Sequence, residues 1–465
     1  MPDMPTLDSE TPAYAGHVPG LADLVRHDRA HRRIYTDPAI FALEMQRIFG
    51  RAWLYVAHES EVRAEGDFVA SRMANLPVLV TRDSEGMINV LVNRCGHRGA
   101  AVCQQERGNS RAFRCPYHGW SYRNDGSLLG VPNRQTYPEG YDFSMPELRM
   151  KRVPRVATYR GFVFASLAPD GPDLPTYLGA AMTGIDDLMD RAPFGEIERA
   201  GGVLKYAVNA NWKLPTENYN DFGHNTATHE SSYSIAKTFT PSDRVDPFEI
   251  RPVDIIRQNG ARADVFLQAG VYAFDWGHSY NGSHQTAAGG KTGGLIDVEN
   301  APEGSAYAEY WRLLVARHGL ERAQQVVRKR RHLSVVWPTM GVQAFYMRVS
   351  TMHPISVDRT EVHIVTFRMK GAPDLLFQNS VRYLTTVNSP GSIILPDDIE
   401  VFEQAQRNLS APGAGDWVVF PNGVGAEQAH RESDRFDGLR GNGLSELTQR
   451  NQLKAWRHFM LDAAY

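Results

Sequence analysis

The chain has 465 residues, 42% of them hydrophobic and 22% charged, with a formal net charge of −3. That is ordinary globular composition, long enough for two cores, and the charge gives no electrostatic case for a nucleic-acid partner. Three cysteines are no disulfide framework, no apolar run nears a membrane span, and no secretory signal opens the chain, so a cytoplasmic protein with no membrane partner is expected.

Residues 1–20 are proline- and glycine-rich and polar, which predicts an extended arm. From Asp37 to Trp53, the residues Ile40, Phe41, Met45, Ile48 and Phe49 recur at helical spacing. The pattern changes near Val56. Asp67–Ser71, Pro77–Arg82 and Ile88–Asn93 are short, β-branched and separated by turn residues, predicting a small all-β unit to about Pro169. Inside it, Arg94–Leu128 contains Cys95-x-His97 and Cys115-x-x-His118, with residues 98–114, 17 in number, between the pairs. Two such hairpin loops can pinch one metal centre. Mixed thiolate and imidazole donors suit structural zinc or a Rieske [2Fe–2S] cluster. Gly96, Gly99, Gly108 and Gly119 permit the turns, Pro116 stiffens the second loop, and Trp120 and Tyr122 can shield the centre from water. Cys103 stands outside the pairs and reads as a small buried thiol.

Residues 203–212 alternate as a strand, and 213–229 read as helix. The stretch Asn211–His229 brings Asp221, His224 and His229 close together in sequence. Two imidazoles and a carboxylate suit a mononuclear iron(II) site that leaves positions open for oxygen and substrate. The alternative is a polar helix whose histidines are satisfied by hydrogen bonds. Asp221 and His224 share a helical face. His224 and His229 lie about 140° apart around a regular helix, so a bend, widening or end is expected near Asn225–Thr228.

Residues 258–303, with GGKTGG at 289–294, predict a mobile loop or lid in which His278 and His284 are solvated. Ser305–Arg331 predicts a helix with a basic end, Arg328 to Arg331; a solvated face is the simpler reading, docking of an acidic ferredoxin the alternative. Strands at 332–337, 342–353 and 360–369 predict an antiparallel sheet wrapped around a long helix, an α+β fold. Arg348 can pair with a substrate carboxylate, but alternation leaves its direction open, and a surface ion pair is the simpler reading. A third iron ligand is expected from a distant carboxylate at Leu395–Glu400, where Asp397 and Asp398 open a helix. First-turn acids also suit capping and the helix dipole, and spacing does not choose between them.

Cys95-x-His97-Arg98-Gly99, then Cys115-Pro116-Tyr117-His118-Gly119-Trp120, resembles the Rieske domain of the ring-hydroxylating Rieske non-haem iron oxygenases, large (α) subunit. Asn211-Trp212-Lys213, Glu217-Asn218 and Asp221-x-x-His224-x-x-x-x-His229 resemble that family's mononuclear-iron segment. The resemblance implies an N-terminal arm and helix (1–55), a small all-β Rieske domain (56–169) and a helix-grip catalytic domain (170–465). It implies one [2Fe–2S] cluster on Cys95, His97, Cys115 and His118, and one iron on His224, His229 and Asp398, with Asp397 left as the cap. Asn218 is a further candidate at that site. The activity implied is hydroxylation, as cis-dihydroxylation, of an aromatic ring with O2 and electrons from a ferredoxin or reductase. Monooxygenation of a side chain or an N- or O-methyl group is the runner-up; an electron-transfer protein without catalysis is a reading of a different class. The resemblance also implies a head-to-tail trimer of α subunits, with a small β subunit as α3β3, in which Asp221 carries the electron to His224 from the partner subunit's His118.

Overall fold

In the computed structural model the described residues are 20–238, 251–259, 263–283, 291–292, 296–413 and 415–461. The predicted arm, apart from Gly20, and His284 lie outside them. Two compact units emerge.

The first is Phe49–Leu174. Strands Ile88–Val92, Leu76–Arg82, Asp67–Met73 and Arg107–Asn109 pair antiparallel in that order. Ala112–Arg114, Ser121–Arg123 and Leu128–Gly130 form a second small sheet, and Arg155–Tyr159, Phe162–Ser166 and Leu54–His58 a third. Alternating apolar residues such as Phe68, Leu79 and Leu91 meet Phe113 and Tyr122 in a core that also takes in Cys95 and Cys115.

The second unit joins residues 20–48 to the chain from Pro175 onward. Its first long helix is Pro38–Arg47, opened by Asp37, whose carboxylate accepts the Ala39 N–H at 2.9 Å. Among the described residues the main sheet has nine antiparallel strands. Their order is Ile197–Val208, Arg359–Met369, Arg348–Ser356, Met340–Gln343, Arg330–Val336, Ser279–Ser283, Gly270–Ala273, Phe436–Asn442 and Gln428–Ser433. Register puts Leu204 opposite Ile364, Tyr206 opposite Val362, and Met352 opposite Val362. These side chains share one face, which Leu384 of the Asp374–Val387 helix covers. The fold is α+β, an antiparallel sheet carrying a long helix, as expected.

Several elements differ from the sequence reading. The described part of 258–303 includes the hairpin Gly270–Ala273 and Ser279–Ser283, which lies within the sheet, so it is not a lid there. Its glycines and histidine hid a short buried strand pair. His278 is not solvated but 1% exposed. Its Nδ1 accepts the Trp337 N–H at 3.0 Å and its Nε2 donates to the Tyr177 carbonyl at 2.8 Å. Burial brings its pKa down to about 4. Ser305–Arg331 is broken by Gly319, at φ 76°, into Ala306–His318 and Leu320–Arg328. Its basic end is not a plain solvated face: Arg328 grips Glu299 with two bonds of 2.6 Å, and Lys329 meets Asp187 at 2.5 Å. The predicted strand 342–353 is split by a turn at Ala344–Tyr346. Among the described residues no helix is long and apolar enough to cross a membrane.

Candidate metal centres

Two loops of the first unit are built alike. The N–H of Cys95 donates to the Ala100 carbonyl and that of Cys115 to the Trp120 carbonyl, both at 2.8 Å. Gly99 and Gly119 donate back to the carbonyls of Cys95 and Cys115, each at 3.0 Å. Both glycines sit at positive φ, 78° and 75°, a conformation that side chains disfavour. At Gly96 a Cβ would lie 2.6 Å from the Leu148 carbonyl oxygen. The twin loops bury both cysteines and leave His97 half-buried and His118 exposed, their ring centroids 4.7 Å apart. Trp120 stacks on His97 at 4.9 Å. The Tyr122 hydroxyl lies 3.1 Å from Cys95 Sγ and accepts the Gly96 N–H at 3.0 Å. Burial, then His118 and Arg98, hold the His97 pKa down, favouring the neutral form that binds metal. Two buried thiols and two accessible imidazoles fit a Rieske centre. Cys103 is half-buried rather than buried, its thiol 3.7 Å from the Gln105 carbonyl.

In the second unit, helix Lys213–Asn218 ends, and Asn225–Thr228 forms a single turn before Glu230–Thr238. The interruption expected near Asn225–Thr228 is present, with a break on either side of that turn. Asp221 makes the first break: its Oδ1 accepts the Gly223 N–H at 2.6 Å, competing with the helical ladder. His229, at φ −104° and ψ 17°, makes the second. The two breaks turn both imidazoles to one point. Nε2 of His224 and Nε2 of His229 lie 3.5 and 3.4 Å from Asp398 Oδ1. One donor atom from each of the three lies within 4.8 Å of the others. That span fits one ion at bonds of roughly 2.1 Å, and the donor set suits iron(II) with open positions.

Asp397 is not the helix cap. Ile394 holds the N-cap position, and Ser392 Oγ accepts the N–H groups of Ile394 and Leu395, each at 3.3 Å. Asp397 Oδ2 instead lies 3.2 Å from His229 Nδ1. Consecutive helical residues, about 100° apart, thus address both nitrogens of one imidazole. The Nδ1–H bond to Asp397 sets the tautomer that leaves Nε2 free for metal. Burial opposes a charge on His229, but Asp398 and then Asp397 outweigh it and raise the pKa. Sequence reasoning missed this role because a first-turn Asp is so often a cap.

Asn218 Nδ2 donates to Asp398 Oδ1 at 3.4 Å. Asp221 Oδ2 stands 3.6 Å from His224 Nδ1, an ion-pair distance too long for a hydrogen bond. His224 Nδ1 is buried and has no hydrogen-bond partner among the described residues. Arg348 is no surface residue: it is 2% exposed.

The motif Asn211-Trp212-Lys213 anchors this segment. Glu44, fully buried, accepts from Trp212 Nε1 at 2.8 Å and from Lys213 Nζ and Trp456 Nε1 at 2.6 Å each. Glu217 accepts from the Tyr35 hydroxyl at 2.8 Å.

Residues 52–159 match the model of the Rieske [2Fe–2S] domain, and residues 196–436 that of the ring hydroxylating alpha subunit, catalytic domain. The chain belongs to the ring-hydroxylating α-subunit family. It is similar to the 2-halobenzoate 1,2-dioxygenase large subunit of Burkholderia cepacia, 30% identical over 94% of this chain and 90% of that one. The toluate 1,2-dioxygenase α subunit of Pseudomonas putida is 32% identical over 94% and 91%. Among solved structures, naphthalene 1,2-dioxygenase from Rhodococcus sp. bound to indole superposes with a TM-score of 0.74 and 26% identity, covering 94% of this chain and 95% of that one. This ring-hydroxylating α subunit is accordingly a Rieske-type oxygenase, an oxidoreductase whose cofactors are one [2Fe–2S] cluster and one mononuclear iron per chain. It works with O2, an aromatic substrate and electron-transfer partners.

Proposed function

We propose that the cluster is held by Cys95, His97, Cys115 and His118, within a domain of about 56–169, and the iron by His224, His229 and Asp398 in a catalytic domain of 170–465 joined by 1–55. The observation that carries this reading is the convergence of both Nε2 atoms on Asp398 Oδ1. When bound, the cofactors would supply electrons from a ferredoxin or reductase, a pair for each cis-diol formed, and the activation of O2 beside the ring. The residues do the rest. Asp397 orients His229, Asn218 steadies Asp398, and the apolar face of Leu204, Tyr206 and Met352 packs the arene and excludes water. The reaction proposed is cis-dihydroxylation, in line with relatives named for 1,2-dioxygenation of halobenzoate and toluate. The setting proposed is cytoplasmic.

The assembly proposed is a head-to-tail trimer with a small β subunit. A ring of this kind is a closed heterologous assembly. The exposure of His118 and the position of Asp221 beside the outer nitrogen of His224 support the reading that Asp221 bridges His224 to the partner subunit's His118.

The test combines metal analysis with product analysis. Purified protein should carry two irons as the cluster and one more at the mononuclear site. His224→Ala or Asp398→Ala should lose the third iron, keep the Rieske spectrum, and form no diol from a panel of aromatic acids and hydrocarbons. Retention of the third iron by both variants overturns the ligand assignment.

A further inference from the structure

We propose that Arg348 is a specificity-determining residue that receives the carboxylate of an aromatic acid and seats its ring beside His224, His229 and Asp398. The inference rests on the oxygenase reading above and names its substrate class.

Register decides where Arg348 faces. It lies opposite Gln343 on one neighbouring strand and Thr366 on the other. By alternation it shares a face with Ser350 and Met352, and that face is the apolar one covered by Leu384. Among the described residues its guanidinium makes one hydrogen bond, from Nη2 to the Tyr219 hydroxyl at 3.1 Å. Nε and Nη1 are buried and have no partner among the described residues. Gln343 Oε1, directly across the strand pair, and Ser350 Oγ, two residues along, are also buried without a partner. Three polar groups at adjoining register positions are thus left unsatisfied together.

The chain ties this spot to the metal ligands. Tyr219, which holds Arg348, directly follows Asn218, which donates to Asp398. Gly341, on the same strand as Gln343, lies under the Tyr219 ring: a Cβ there would fall 2.2 Å from it. The Tyr206 phenol is raised by burial first and then by the Asp398 carboxylate, while Arg348 opposes, so both charges act on one side chain.

A guanidinium cannot shed its proton to escape burial. A buried cation without a counter-charge is costly, and among the described residues none forms an ion pair with it. A carboxylate matches the donor geometry of arginine and supplies the missing charge, and Ser350 Oγ adds a donor. The surrounding Leu204, Tyr206, Met352 and Ile364 suit the flat apolar ring. A neutral hydrocarbon would leave the cation unpaired, which is the stronger basis for discrimination.

The experiment is anaerobic calorimetric titration of the holoenzyme with benzoate, benzamide and toluene. Benzoate should bind at least about tenfold more tightly than benzamide, in keeping with loss of one partner of a buried charge pair. Arg348→Gln should abolish that ratio, with iron content and circular dichroism unchanged. Arg348→Lys should keep part of it, since a point charge attracts without the fork. Equal binding of benzoate and benzamide by the wild type, which needs no variant to fold, overturns the proposal, as does an unchanged ratio in Arg348→Gln. Turnover with O2 and an electron donor separates the two readings. Neutral arenes oxidised with no preference for acids overturn the role of Arg348 and leave the oxygenase standing. Carboxylate-selective, Arg348-dependent binding with no product from any arene supports Arg348 and overturns the reaction.

Discussion

At the scale of the residue, Asp397 and Asp398 differ in role because a helix turns about 100° between neighbours. One reaches Nδ1 of His229 and the other Nε2. A partner on the outer nitrogen of a ligating histidine is worth roughly 10–100-fold in metal affinity. Asp397→Ala should therefore weaken iron binding by about that factor while leaving the thermal midpoint almost unchanged, because Ser392 and not Asp397 caps the helix. A chelator titration followed by iron analysis checks the first part and a melt the second. A large fall in the midpoint with unaltered iron affinity would restore Asp397 as a cap.

At the scale of the element, the short helix Lys213–Asn218 is pinned near both ends of its sequence by buried ionisable groups. Lys213 holds Glu44, and Glu217 is sealed in with Tyr35. Burial pushes the Glu217 carboxyl up to about 8, with the Tyr35 hydroxyl and Lys213 opposing. The unfolded chain releases this proton near its ordinary value of 4.5. Between those two values the folded state binds one proton more than the unfolded state, so stability falls as pH rises through that window. The slope is at most about 1.4 kcal/mol per pH unit for one proton. Glu217→Gln should flatten it, as read from urea midpoints between pH 5 and pH 8. The same slope in the variant would assign the pH dependence to another group.

At the scale of the whole molecule, the two sets of donors lie in separate compact units, each with its own core. In the assembly proposed above, the link between them is Asp221. A carboxylate between two imidazoles is a charge-assisted connection. Asp221→Asn should load both metal centres and still oxidise the reduced cluster slower by orders of magnitude in a single turnover with substrate and O2. Near-normal oxidation would remove Asp221 from the path. Asp221 stands too far from His224 Nδ1 to hydrogen-bond it, unlike Asp397 and His229, so unchanged iron content is part of the expected result.

The cluster loops were legible in sequence because their geometry is local. Each is closed by hydrogen bonds between residues four and five apart, Gly99 to Cys95 and Cys95 to Ala100, and the spacing of Cys, His and Gly alone specifies the turn. The alternating segments around Asp67 and Leu76 were legible for the same reason, since a strand's pattern is contained within it. His224 and His229 could be named, but not how they converge: the Asp221–Gly223 bond that breaks the helix competes with the ladder by a small margin that spacing does not reveal. Asp397 could not be told from a cap, because its partner His229 is distant in sequence and meets it only once the sheet and helices have packed. Arg348 was open in the same way. Moving a strand's register by one residue turns every side chain to the other face. The pairing of Arg348 with Gln343 and Thr366, which only the assembled sheet sets, decided that its charge is buried and not spent in water.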